Sequence, residues 1–122
     1  MTPEGSLLKL VRDYLSAERV WHVRLTQGAA KTSTGSYLKT GNAGMSDILA
    51  TPWILAGLKP CRYLQLCILW IELKAPNGRQ SEAQKRFQAE AEEAGHYYLL
   101  INSLDTLIAW LKEHRFKSNM HT

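Results

Sequence analysis

Apolar residues recur at helical spacing near the start of the chain, at Leu7, Leu8, Leu10, Val11, Tyr14 and Leu15. Thr2 stands in front of them, followed by Pro3 in the position where proline opens a helix. The pattern then changes to alternation over residues 19–25. Val20, His22 and Arg24 fall on one side, and Trp21, Val23 and Leu25 on the other, as in a strand. Residues 26–46 break the pattern with Gly28, Gly35, Gly41 and Gly44 among many Ser and Thr, which predicts a long loop or irregular hairpin. Residues 47–55 read as a second strand interrupted by Pro52, 57–63 as a turn, and 64–74 as a third, central strand. A turn with Asn77-Gly78 at its tip follows. Ser81 then opens a helix to about Ala94, with Ala83, Phe87, Ala91 and Ala94 as its core stripe and Gly95 as its stop. Residues 96–101 are a fourth strand. A last helix begins near Ser103 and carries Leu104, Leu107, Ile108 and Leu111. The order is α-β-β-β-α-β-α, one α/β domain over 1–122 with a small mixed sheet and a polar tail that frays at about 117–122.

Composition changes this picture little. The chain has 122 residues, 45% of them hydrophobic, enough for one core. No apolar run reaches the roughly 18 residues of a membrane span, and no signal peptide precedes the first helix. Cys61 and Cys67 match no metal spacing and read as reduced core thiols, which points to a cytoplasmic protein. The net charge is +4, which suits an anionic partner. Between Arg19 and Ser46 there are four basic residues, Arg19, Arg24, Lys31 and Lys39, and no acid.

Chemistry concentrates where the most apolar strand ends. Glu72 and Lys74 are two apart, so on a strand they share a face, with Ile68 and Trp70 deeper in the core. A buried carboxylate and ammonium each cost several kcal/mol unless paired or bound. An isolated E-x-K is usually no more than a weak ion pair at a strand end. Here Asp47 opens the preceding strand after a glycine-rich approach. Side by side, the two strands bring two carboxylates together, and a hard divalent cation relieves their repulsion. A lysine beside such a cation can orient an attacking water.

Asp47 with Glu72-Leu73-Lys74 resembles the PD-(D/E)xK nuclease motif, with Ser46 in place of the usual proline. The ordered set of Gly44-x-x-Asp47, Glu72-x-Lys74, a glycine turn, Ser81-x-x-Gln84 and Gly95 resembles the VRR-NUC family, the virus-type replication-repair nuclease domain, over nearly the whole chain. That resemblance implies a restriction-endonuclease-like α/β core and metal-dependent DNA cleavage of the kind stand-alone phage members perform. It implies Mg2+, with Mn2+ substituting, on Asp47, Glu72 and the Leu73 main-chain carbonyl, and Lys74 serving the water. It further implies a homodimer, like Holliday junction resolvases, acting on branched or duplex DNA.

Several supporting residues have two readings. Gln84 completes the family's active site, yet Ser81-x-x-Gln84 is also a capping box. Glu4 is favoured in a first helical turn by the helix dipole. It also falls on the line of Leu8, Val11 and Leu15, and related nucleases carry a glutamate near the metal from this helix. Arg24, Lys31 and Lys39 are either solvated charges or phosphate contacts. Tyr37 is the one aromatic placed to stack on a base. His22, His96, His114 and His121 do not cluster and read as structural, and the tryptophans as core or interface. Two rival readings are a nucleic-acid-binding module that lost catalysis and an assembly protein whose strand end is only a salt bridge.

Overall fold

The computed structural model describes residues 2–25, 28–31, 37–40 and 44–115, the strands at 28–31 and 37–40 by backbone alone. Lys31, Lys39 and Tyr37 are therefore placed by strand register only, and His121 lies outside the described residues, as does the expected frayed tail.

Helix α1 (Pro3–Ala17) starts as its sequence dictates. Thr2 Oγ1 accepts from the Gly5 N–H at 3.0 Å, Pro3 occupies the first turn, and Leu7, Val11 and Leu15 are buried. The chain then forms β1 (His22–Arg24), β2 (Gly28–Lys31), β3 (Tyr37–Thr40), β4 (Ile48–Ala50), β5 (Trp53–Ala56), β6 (Tyr63–Leu66) and β7 (Leu69–Leu73). Helix α2 (Glu82–Glu93), β8 (Tyr97–Ile101) and α3 (Leu104–His114) complete it. Four strands make the main sheet in the order β1-β4-β7-β8; the first three run antiparallel and β8 lies parallel to β7. Without the two inserted hairpins, β2–β3 and β5–β6, this is the α-β-β-β-α-β-α order with a mixed sheet.

One face of the sheet carries the aliphatic core. Ile48, Ala50, Leu69, Ile71 and Ile101 meet Leu7, Val11 and Leu15 of α1 and Leu107 and Leu111 of α3, all buried. Helix α2 packs on the other face, where Trp70 meets Phe87 edge-on at 4.9 Å between ring centroids. Glycine at 95 has φ +89° and ends α2, as its place after Ala94 requires.

Three expectations need correction. The strand expected over 47–55 is two, β4 and β5, in different sheets. Pro52 lacks the N–H to continue a ladder, and its carbonyl instead accepts from the Cys67 N–H at 3.1 Å. The strand expected over 64–74 is also two. Its first half, β6, pairs with β5, and the chain shifts sheets at Cys67 and Ile68 before entering β7. Ile68 is accordingly exposed instead of lying in the core beside Glu72. Cys67 is buried, as a core thiol should be, but Cys61 is exposed at the β5–β6 turn. No described helix is long and apolar enough to cross a membrane.

Candidate metal centre and active site

Antiparallel register fixes the centre of the site. Ile48 stands opposite Ile71 and Leu49 opposite Trp70. One step further the same register sets Asp47, just before β4, opposite Glu72 in β7, and opposite residues share a face. Asp47 Oδ2 accepts from the Leu73 N–H at 2.8 Å, in place of a ladder bond. In an extended strand the N–H and C=O of one residue point to the same side. The Leu73 carbonyl is therefore directed toward β4 as well, on the side of Asp47.

Glu72 is 3% exposed. Its Oε1 accepts a short hydrogen bond from Gln84 Nε2, and Lys74 Nζ lies 3.7 Å away. Its Oε2 is buried with no hydrogen-bond partner in the structure. Burial, then the negative charge of Asp47, pushes the Glu72 carboxyl up to about 8, only partly offset by the Lys74 ammonium. The charged form of Glu72 is thus costly with only the site's own groups around it.

The approach to Asp47 is locked by Gly44. Its φ of +79° is costly for any residue with a Cβ, and a Cβ there would lie 2.2 Å from the Ala83 carbonyl oxygen and 2.6 Å from the Gln84 nitrogen. The loop before Asp47 rests directly on the first turn of α2. That turn is a complete capping box: Ser81 Oγ accepts from the Gln84 N–H at 3.1 Å, and Gln84 Oε1 accepts from the Ser81 N–H at 2.8 Å. Both readings of Gln84 hold at once. Its oxygen caps the helix and its Nε2 donates to Glu72.

The structure brings some expected residues together and separates others. Asp47, Glu72, Lys74 and Gln84 converge. Glu4 is exposed, and its Oε1 accepts from the Ala75 N–H at 3.2 Å, tying α1 to the strand end beside Lys74. It does not join the other two carboxylates: no group of three or more His, Cys, Asp or Glu side chains fit to hold a metal occurs among the described residues. Arg24 is exposed on the edge strand β1, opposite Ile48. That register assigns it to the sheet face away from Glu72. Lys31 stands opposite Tyr37 and Ala29 opposite Lys39 in the β2–β3 pair. The described histidines serve local contacts. His22 Nδ1 lies 3.0 Å from the Val20 carbonyl oxygen, His96 accepts from Trp70 Nε1, and His114 stacks on Trp110.

Two residues had no role in the sequence reading. Tyr98 stands beside Trp70 in the register, which puts it on the Glu72 face. Its hydroxyl accepts from Gln80 Nε2 at 3.1 Å, and burial, with Glu72 and Asp47 nearby, raises its pKa. Gln80 also donates to Gln88 Oε1 at 2.9 Å, joining the turn after Lys74 to α2. Ser46, in the proline position of the motif, is fully buried near the Tyr98 hydroxyl without a well-formed hydrogen bond to it. Strand parity in 96–101 was the one sequence signal for Tyr98; nothing local marked Gln80.

A divalent cation fits this donor set. The unpartnered Glu72 Oε2, the Asp47 carboxylate and a strand-end carbonyl are all hard oxygens. Magnesium commonly takes only one or two carboxylates and completes its six positions with water.

No family model matches the sequence, and no curated protein matches it. Among solved structures, one described as a VRR_NUC domain superposes with a TM-score of 0.58 at 19% identity, over 95% of this chain and 100% of that one. This chain has the VRR_NUC fold. The superposition runs over nearly the whole of both chains, and the fold expected from Gly44-x-x-Asp47 and Glu72-x-Lys74 is the fold found.

Proposed function

We propose that this protein is a magnesium-dependent DNA endonuclease that hydrolyses phosphodiester bonds, selects branched or duplex substrates by structure, and works as a homodimer. The observation that carries the reading is the pairing of Asp47 with Glu72 beside Lys74, with one Glu72 oxygen buried and unpartnered. Asp47, Glu72 and the Leu73 carbonyl would hold the cation. When bound, magnesium supplies the positive charge that offsets a phosphodiester and makes water more acidic. Lys74 Nζ would orient the attacking water and help balance the charge that develops on phosphate oxygens. One water is consumed per P–O bond broken, and the departing oxygen takes up a proton. Gln84 Nε2 holds Glu72 in place, and the Asp47–Leu73 hydrogen bond fixes the distance between the two strands at the site. Lys31, Tyr37 and Lys39, paired by backbone register in β2–β3, together with the net charge of +4, suit phosphate contact and base stacking.

The test is a cleavage assay on end-labelled single-stranded, duplex, flapped and four-way-junction DNA with magnesium, manganese or EDTA. Products that need metal and fall at least about 100-fold in Lys74→Ala are expected, with DNA binding retained by the variant. Binding without products on every substrate would instead favour a nucleic-acid-binding module that has lost catalysis. Magnesium should also raise the melting temperature of the wild-type protein and leave that of Glu72→Gln unchanged.

A further inference from the structure

The β5–β6 hairpin turns an apolar face to solvent. Trp53 stands opposite Leu66 and Leu55 opposite Leu64, so these four apolar residues form one face. That face is turned to solvent: Trp53 is 55% exposed, Leu66 51%, Leu64 49% and Leu55 39%. On the other face only Ile54, in β5, is buried; its partner Gln65 and the neighbouring Tyr63, in β6, are exposed. Two more exposed apolar residues, Leu58 at the turn and Ile68 at the base, extend the patch. An ordinary two-stranded ribbon places its polar side outward.

The geometry points to this face as the surface on which a second copy of the chain packs. The exposed apolar area of these six residues is roughly 600 Å², at the upper end of what a monomer leaves in one patch. A standard interface buries roughly 800 Å² per partner, of which somewhat more than half is apolar. The patch therefore supplies the apolar part of a stable dimer. Neither strand of the hairpin carries a charged residue, so nothing on the face calls for a partner of opposite charge, and an isologous pairing asks only that the surface fit itself.

This assignment deepens the homodimer of the proposed function and rests on that reading for its biological use. It adds a constraint. Asp47 stands just before β4 and Glu72 lies near the end of β7, whereas the hairpin leaves the sheet from Ala50 and returns at Leu69. The dimer surface and the candidate active site are thus at opposite ends of the same strand pair. Two such sites would face away from the interface and act at separate points on the nucleic acid.

Sedimentation equilibrium on the full chain decides the matter. The wild-type protein should sediment at twice 13.8 kDa. The variant Leu64→Lys/Leu66→Lys should sediment at 13.8 kDa with an unchanged circular dichroism melt, its dimer dissociation constant weakened at least about 100-fold. If that variant fails to fold, Leu55→Lys on the facing strand must give the same loss. A wild-type monomer, or a folded variant that stays dimeric, overturns the assignment. Mass is read without reference to cleavage, so the two proposals fail separately. A dimer on this face that cuts no DNA removes the nuclease reading and leaves the interface, and a monomeric nuclease does the reverse.

Discussion

The strand pair β4–β7 and the hairpin β5–β6 are made from the same two stretches of sequence and obey opposite rules. Each stretch is divided, at Pro52 in one and at Cys67 and Ile68 in the other. The first pair buries an acid, Glu72, at 3% exposure, while the second exposes Trp53 at 55%. Burial costs a carboxylate several kcal/mol, and exposure forfeits roughly 25 cal/mol for each Å² of apolar surface. A fold retains two such penalties side by side where each serves something outside the folding of one chain. In β7 the beneficiary is the site that Asp47, Glu72 and Lys74 form. In the hairpin the proposed beneficiary is a surface for a second chain.

The contrast is sharpest between Leu69 and Leu66, three residues apart and on opposite sides of the break. Leu69 is fully buried in the aliphatic core and Leu66 is half exposed. Leu69→Ala should destabilise the protein by about 2–5 kcal/mol in urea denaturation. Leu66→Ala should change the stability of the isolated chain by less than about 0.5 kcal/mol. Equal losses at both positions would mean that the hairpin is packed core and would dissolve the comparison.

A second expected effect separates the site from its frame. Gly44→Ala leaves every polar group of the site unchanged but drives a Cβ into the backbone of Ala83 at a positive φ. A loss of about 3 kcal/mol is expected, combining an unfavourable backbone conformation with overpacking. Cleavage should fall with it, because the displaced loop carries Asp47. A Gly44→Ala protein as stable as the wild type would show that the loop before Asp47 does not depend on its seat on α2.

Local chemistry made half of this legible in the sequence. Thr2-Pro3, Ser81-x-x-Gln84 and Gly95 mark helix ends by hydrogen-bonding and backbone rules that act over three or four residues, and the structure follows them. Glu72-x-Lys74 stood out because charge is costly at the end of an apolar strand. The division at Cys67 and Ile68 was not legible. The run from Leu64 to Leu73 contains no glycine, proline or turn residue, and hydrophobicity does not say which partner a strand will choose. The same limit hid the Tyr98–Gln80 contact and the seat of Gly44 on Ala83, which depend on packing between residues far apart in the chain. Arg24 shows the parallel case for a charge. Alternation put it on a strand correctly, and only the register with Ile48 revealed which face it occupies.

The smallest expected effects divide the two duties of Gln84. Ser81→Ala removes the hydroxyl that caps α2 and leaves the Gln84 side chain free to reach Glu72. It should cost about 1 kcal/mol of stability, with cleavage little changed. Gln84→Glu does the opposite. A glutamate at this helical position still accepts from the Ser81 N–H, so the capping box survives. What is lost is the Nε2 donor to Glu72, and what is gained is a like charge against a carboxylate already deprived of water. The variant should keep its helix content and lose about tenfold in cleavage rate, measured at fixed magnesium beside Ser81→Ala. If Ser81→Ala loses the greater share of cleavage, Gln84 acts on the site through the helix alone, and its hydrogen bond to Glu72 is a consequence of the cap.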